Sequence, residues 1–265
     1  MSTTDSTGRS TGSALTTLVP VPESGRTFVA ERRVRLSDAD VSGRLRLDAI
    51  ARYLQDVATD DVAETGWGAG EHFWLVRRSL VQVVASPQFG ELLEMTTWSS
   101  GTGVAAATRR TSLVGEHGGR VETETVWVHL GSEMRPARFD ESFFALYGPS
   151  TQGRRITTRL ELPDPPDDAK RRPWALRAAD LDMLGHVNNA AYWGAVEEVL
   201  SLHEWSPNGA LEAVLEYRAP IDLTDEIELR HAQDGDGIRL ALAAADSVRA
   251  VGLVRTGLRA PAIAG

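Results

Sequence analysis

The chain repeats itself. Arg35-Leu-Ser-Asp-Ala-Asp-Val-Ser-Gly43 and Arg177-Ala-Ala-Asp-Leu-Asp-Met-Leu-Gly185 share the pattern Arg-x-x-Asp-x-Asp-x-x-Gly without a gap. Carrying the same offset forward sets Ile50 against Tyr192, Leu54 against Val196, and Gln55-Asp56 against Glu197-Glu198. Two copies of one unit constrain the fold more than any composition does, because whatever the first copy forms the second must form again.

The order of patterns also runs twice. Arg32–Leu36 alternates apolar and basic, as a short strand does. Leu45, Leu47, Ile50, Leu54, Val57, Ala58 and Val62 then recur at three- and four-residue spacing, the signature of an amphipathic helix, with Gly66 as its stop. From Phe73 onward the chain is rich in β-branched and aromatic residues and reads as four or so antiparallel strands, two of them around a Gly-rich turn at Gly115–Gly119. After the Pro- and charge-rich stretch from Leu162 to Pro173 the order restarts: Trp174–Arg177 extended, a helix marked by Tyr192, Trp193, Val196, Val199 and Leu200, then four more strands. The fold class expected is α+β, two copies of a long helix embraced by a curved antiparallel sheet. The expected division is a disordered tail over 1–25, a first unit over 26–150, a linker over 151–173 and a second unit over 174–265.

Composition then removes several functions. The net charge of −9 argues against general nucleic-acid binding, which needs a basic footprint. Basic residues are nearly all arginine, and pairs such as Arg32-Arg33, Arg109-Arg110 and Arg171-Arg172 are read as solvated edges or as local patches for an acidic carrier or a phosphate. No cysteine is present, which excludes disulfides, thiolate metal sites and a cysteine nucleophile, and fits a cytoplasmic setting. No apolar run approaches the ~20 residues of a membrane helix, so no membrane is expected. The six histidines show no metal-ligand spacing, and neither a metal nor a cofactor is implied.

Asp180-Leu-Asp-Met-Leu-Gly-His-Val-Asn-Asn189 carries the densest chemistry. It leads into the second helix, where unpaired backbone N–H groups and the helix dipole favour negative charge. Gly185 allows close approach to the backbone, so these amides suit a carbonyl oxygen becoming an oxyanion. Asp182 stands near enough to serve as general base or nucleophile. His186 adds a second proton carrier, and Asn188 and Asn189 can fix a water or the carboxylate by hydrogen bonds. Capping alone accounts for one such residue, not five. The first copy keeps Asp38, Asp40 and Gly43 but has Arg44 for the histidine and Arg46-Leu47 for the asparagines. Only the second copy is therefore equipped for chemistry.

At these residues the chain resembles the acyl-acyl carrier protein thioesterases, the plant plastid family and its bacterial relatives, built from two tandem hot dog domains. The resemblance covers nearly everything from about Phe28 onward. Asp180-Leu-Asp182-Met-Leu-Gly-His186-Val-Asn-Asn-Ala-Ala-Tyr192 is similar to the family's Asp-Leu-Asp-x-Asn-x-His-Val-Asn-Asn-x-x-Tyr signature, and "YLQDVATDDV" and "LEYR" resemble further segments in the same order. What the resemblance implies is hydrolysis of the thioester between a fatty acyl chain and acyl carrier protein, or acyl-CoA. The N-terminal domain would hold the acyl tail, Asp182 would match the catalytic aspartate and His186 the catalytic histidine. Two departures stand out. Leu184 replaces the family's asparagine, and Glu216-Tyr-Arg-Ala-Pro-Ile221 lacks the second acid and the cysteine of the plant Glu-Tyr-Arg-Arg-Glu-Cys run. The surviving pattern, an aspartate three residues before a glycine at a helix start, is that of simpler hot dog thioesterases, in which the aspartate and the helix amides do most of the work.

Trp67, Phe73, Trp74 and Trp98 cluster in the first copy, read as core or, for Trp67 and Trp74, as walls of an acyl site. Gly8-Arg-Ser-Thr-Gly12 matches a nucleophile-elbow pattern but lies in the tail with no strand before it. Gly66-Trp-Gly-Ala-Gly70 follows a helix, so it is no dinucleotide loop. Two other readings stay open: a hydratase or dehydratase of enoyl thioesters on the same fold, and a non-catalytic acyl-thioester binder. Two fused units meet each other's need for pairing, so a monomer or a homodimer is expected.

Overall fold

A computed structural model of the chain describes residues 14–67, 73–205, 209–245 and 247–258. The first half forms strand β1 (Phe28–Arg33), helix α1 (Leu47–Thr65), strands β2 (Phe73–Ala85), β3 (Leu92–Thr102), β4 (Ala106–Gly115) and β5 (Arg120–Leu130), and helix α2 (Glu141–Thr151). The second forms β6 (Lys170–Trp174), α3 (Tyr192–Leu202), β7 (Ala210–Tyr217), β8 (Ile227–Asp234), β9 (Gly237–Ala244) and β10 (Ser247–Leu258). The Gly8 motif and residues 68–70 of the Gly66 motif lie outside the described residues.

The strands join in one antiparallel sheet in the order β1-β3-β4-β5-β2-β7-β10-β9-β8-β6. Read from its two ends the order is the same, with β2 and β7 meeting in the middle, Val81 opposite Ala213. The sequence repeat is thus a structural pseudo-twofold whose axis passes between those strands. Both outermost strands, β1 with Arg32 and Arg33 and β6 with Lys170, Arg171, Arg172 and Pro173, carry charges or proline that discourage further pairing.

The sheet curls around α1 and α3, which pack on each other. Ile50, Leu54 and Val57 of α1, and Trp193, Val196, Val199 and Leu200 of α3, meet Val81, Leu93, Met95, Leu113, Leu211 and Leu215 of the concave face in one buried cluster. The helix stop at Gly66 is as the sequence predicts: it sits at φ 64°, a left-handed conformation that costs glycine nothing.

The sheet's outer face is covered as well, and here two expectations need correction. The disordered tail expected through residue 25 does not hold for residues 14–25. Thr16 N–H donates to the Glu212 carboxylate at 2.7 Å, the Thr16 carbonyl accepts from Gln82 Nε2 at 2.7 Å, and the Val19 carbonyl accepts from Arg110 Nε at 3.0 Å. The expected linker behaves alike: the N–H groups of Glu161 and Leu162 donate to the Glu216 carboxylate at 2.9–3.1 Å. Glu212 and Glu216 are buried acids, and a buried carboxylate must be hydrogen-bonded. These two segments supply the donors, so composition-based disorder gives way to two straps across the sheet. The linker also ends earlier than expected, since β6 begins at Lys170.

Helix α2 has no counterpart in the expectations. Asp140 caps it by accepting from Phe143 N–H at 2.9 Å, and it lays Phe143 and Tyr147 against Trp67, Trp74 and Phe139. No described helix is long and apolar enough to cross a membrane.

Candidate active site

The Asp180–Asn189 segment is a tight loop before it is a helix. Leu181 and Val187 bridge, Asp182 N–H donates to the His186 carbonyl at 2.9 Å, and Gly185 N–H to the Asp182 carbonyl at 3.0 Å. Gly185 adopts φ 80°, and Leu184 N–H donates to Asp182 Oδ1 at 2.9 Å. The first copy builds the same loop, with Asp40 N–H to the Arg44 carbonyl at 2.9 Å, Gly43 N–H to the Asp40 carbonyl at 3.0 Å, and Gly43 at φ 86°. The shared Asp and Gly positions therefore specify a turn, and Asp182 supports it with Oδ1 while Oδ2 has no hydrogen-bond partner among the described residues.

Asp182 borders a cavity of about 470 Å³, within the range for small-molecule sites. Its neighbours in the rim are Met183, Leu184 and Asn189, with Met183 98% exposed. From there the cavity runs into the other half of the molecule, between α1 and the concave sheet. Ala58, Thr59 and Val62 of α1, Phe73, Trp74, Ala107 and Trp127 of the strands, and Phe143 and Tyr147 of α2 line it. Arg109 also reaches the wall, but Asp61 holds it at 2.7 Å, leaving the lining largely apolar. A site with a carboxylate at one end and hydrocarbon along its length is suited to a long chain with a reactive head.

The side chains behind Asp182 are fixed by a relay that spans both halves. Asn188 Oδ1 accepts from Ala190 N–H at 2.8 Å and from Gln55 Nε2 at 2.9 Å; the same Gln55 nitrogen bonds Asn189 Oδ1. Tyr217 OH donates to the Asn189 carbonyl at 3.1 Å and accepts from Trp193 Nε1 at 3.0 Å. Burial drives the Tyr217 and Tyr192 hydroxyls well above the ordinary phenol range, so both stay protonated. The backbone N–H of Asn189 has no acceptor among the described residues. Asn189 lines the cavity and lies in the turn just ahead of α3, where the helix dipole adds partial positive charge.

The expected residues thus separate. Asp182, Asn189 and Trp74 line the cavity; Asn188 stands behind it and orients Gln55. His186 does not line the cavity: its Nε2 lies 3.7 Å from Asp222 Oδ1, and the side chain is nearly half exposed. Gly185 makes the turn, and its N–H is engaged inside the loop, so the amide suited to an oxyanion is that of Asn189 instead. The reason is that α3 begins only at Tyr192, seven residues after Gly185. Trp67 packs behind Trp74 and Phe143, ring centroids 6.0 and 5.1 Å away, with Nε1 on Ser142 Oγ at 3.0 Å, and is not part of the wall. Pro220 and Ile221 lie beside the loop, the Ile221 carbonyl accepting from Val187 N–H at 2.9 Å, so the family's missing acid is missing from this neighbourhood. Gln55 and Tyr217 were not singled out. The repeat alignment, which pairs Gln55 with Glu197, was the available signal for the first.

That pairing has a counterpart in the first copy. Glu197 reaches from α3 to the start of α1, where it accepts from Leu47 N–H at 2.6 Å and from Arg44 at 2.5 and 3.1 Å. Asp40 bonds the other side of the Arg44 guanidinium at 3.0 Å, and the Trp205 ring covers it at 5.0 Å. The position equivalent to the Asp182 site is filled by a buried ion pair.

Comparison with known proteins agrees with this picture. The model of the acyl-ACP thioesterase N-terminal domain matches residues 25–147, and that of the C-terminal domain residues 164–249. A Mycobacterium tuberculosis protein is 31% identical over 239 residues, covering 90% of this chain and 95% of its own. The oleoyl-acyl carrier protein thioesterase of Coriandrum sativum is 25% identical over 241 residues, 78% of this chain and 62% of its own. Among solved structures, the 12:0-ACP thioesterase from Umbellularia californica superposes with a TM-score of 0.71 at 18% identity, over 87% of this chain and 96% of that one. An acyl-ACP thioesterase from Bacteroides thetaiotaomicron gives 0.70 at 15% identity, over 87% and 97%. With tandem hot dog architecture and both domain models matched in order, the chain belongs to the acyl-ACP thioesterase family of thioester hydrolases.

Proposed function

We propose that this protein hydrolyses fatty acyl thioesters presented by acyl carrier protein, releasing the free fatty acid in the cytoplasm, with the N-terminal half holding the acyl chain and the C-terminal half supplying the chemistry. The observation that carries this reading is the continuity of Asp182 with an apolar cavity lined by the other half. The thioester carbonyl lies beside Asn189, its oxygen on the Asn189 N–H. A water attacks the carbonyl carbon while the Asp182 carboxylate takes its proton. Charge developing on the oxygen is stabilised by that amide and the α3 dipole, an effect of roughly 10²–10³ in rate per donor. The intermediate expels the thiolate, which recovers the proton from Asp182, leaving acid and thiol. His186 and Asp222 sit at the outer edge of this loop and assist at most by keeping it in place. A hydratase needs a further proton carrier over the acyl chain, and the position of His186 outside the wall counts against it.

The test is thiol release from acyl-ACP and acyl-CoA across a chain-length series. Asp182→Asn should lower kcat by about 10²–10⁴-fold, the usual contribution of a positioned base. An Asp182→Asn protein that releases thiol at the wild-type rate would refute the mechanism, and a wild-type protein that binds acyl thioesters without releasing thiol would refute the function. Faster turnover of acyl-CoA than of acyl-ACP would identify coenzyme A as the donor.

A further inference from the structure

We propose that Gln55, on the N-terminal helix, is a catalytic residue that holds the attacking water for Asp182, so that the hydrolytic site is composite across the two halves. This rests on the thioesterase reading above and adds a residue that it does not contain. The argument is a chain of forced hydrogen-bond roles. Ala190 N–H can only donate, so the Asn188 atom it meets at 2.8 Å is the oxygen. That oxygen can only accept, so the Gln55 atom facing it at 2.9 Å is the amide nitrogen. The nitrogen's second hydrogen goes to Asn189 Oδ1, whose residue is held in turn by Tyr217. Both amide hydrogens of Gln55 are therefore occupied, and its carbonyl oxygen is left as an acceptor of fixed direction.

That oxygen, Oε1, has no partner among the described residues and is not among the sealed-off polar atoms, while Gln55 itself borders the cavity with Asp182. A water there donates one hydrogen to Gln55 Oε1 and the other to the Asp182 carboxylate, and directs a lone pair at the acyl carbon. Oxygen–carbon bond formation, proton transfer to Asp182 and thiol departure then balance as before, with Gln55 unchanged throughout. The pseudo-twofold supplies the internal contrast. Glu197, at the position matching Gln55, has both carboxylate oxygens already engaged by Arg44 and Leu47 N–H.

Two near-isosteric variants test this. Gln55→Met removes both the acceptor and the donors; kcat for thiol release should fall ~10–100-fold, the scale of losing one positioning contact, with KM and the Kd for a free fatty acid little changed. Gln55→Glu keeps the acceptor but, ionised, confronts two asparagine oxygens; protonation restores one donor. Its rate relative to wild type should therefore rise as pH falls, because protonation restores a donor to the asparagines while the acceptor for the water is kept throughout. Melting temperature and fatty-acid binding check the fold, and the glutamate variant carries the test alone if the methionine variant does not fold. Wild-type kcat in Gln55→Met, or a Gln55→Glu pH profile that overlays wild type, overturns the proposal and leaves the thioesterase reading standing. A wild-type protein that releases no thiol from any acyl thioester overturns both.

Discussion

One buried hydroxyl shows how the site depends on single atoms. Among the described residues, Tyr217 OH is the one partner of Trp193 Nε1, and it also tethers the Asn189 carbonyl; burial keeps it protonated, so it can donate and accept at any working pH. Tyr217→Phe leaves the indole N–H of a fully buried tryptophan without an acceptor, which costs about 1–3 kcal/mol. The denaturation midpoint should drop accordingly, and thiol release should slow because Asn189 loses its anchor; an unchanged midpoint would show that the indole finds another partner. Asp182 and Asn189 were legible from sequence because acids and amides ahead of a helix announce polar work. His186 was legible and is placed elsewhere: its direction depends on Asp222, 36 residues on, which no local pattern relates to it.

Helix α1 has two jobs on two faces. Ile50, Leu54 and Val57 pack into the core, while Ala58, Thr59 and Val62 border the cavity. Its periodicity made it readable, since an apolar stripe at three- and four-residue spacing marks a helix with one buried face. The small side chain of Ala58 leaves room in the cavity. Ala58→Leu adds three carbons there at almost no cost in helix propensity; turnover should shift toward shorter acyl chains with the melting temperature held, read as kcat/KM across a chain-length series. An unaltered chain preference would mean that the acyl tail runs elsewhere. Helix α2 escaped prediction because it is one short helix, Glu141–Thr151, with Gly148 and Pro149 in its last turn, and its aromatic residues read equally well as strand. It nonetheless lines the cavity through Phe143 and Tyr147.

At the scale of the molecule, the two halves are joined by exchanged side chains as much as by β2 and β7. Gln55 crosses to the C-terminal loop and Glu197 to the N-terminal one. In the N-terminal loop the crossing ends in an ion pair, Arg44 being 4% exposed between Glu197 and Asp40. Removing one member of a buried pair strands the other, at roughly 3–5 kcal/mol, whereas replacing both by apolar groups is often neutral. Arg44→Ala should therefore lower the melting temperature sharply while Arg44→Met with Glu197→Leu recovers most of the loss; a single variant as stable as wild type would show that solvent already reaches the pair. Because neither residue lines the cavity that Asp182 borders, the double variant should keep its thiol release.

The duplication, the α+β class, the order of the strands and of helices α1 and α3, and the aspartate ahead of α3 were all determined by sequence alone, since periodicity, turn residues and repeat spacing are local and survive without coordinates. Which acid faces a cavity, which amide is left free, and that a glutamine from one copy completes the other were decided only in the tertiary structure. Those outcomes depend on where the folded sheet brings together residues far apart in the chain, and hydrogen-bond partners at such distances leave no mark in either one's neighbourhood.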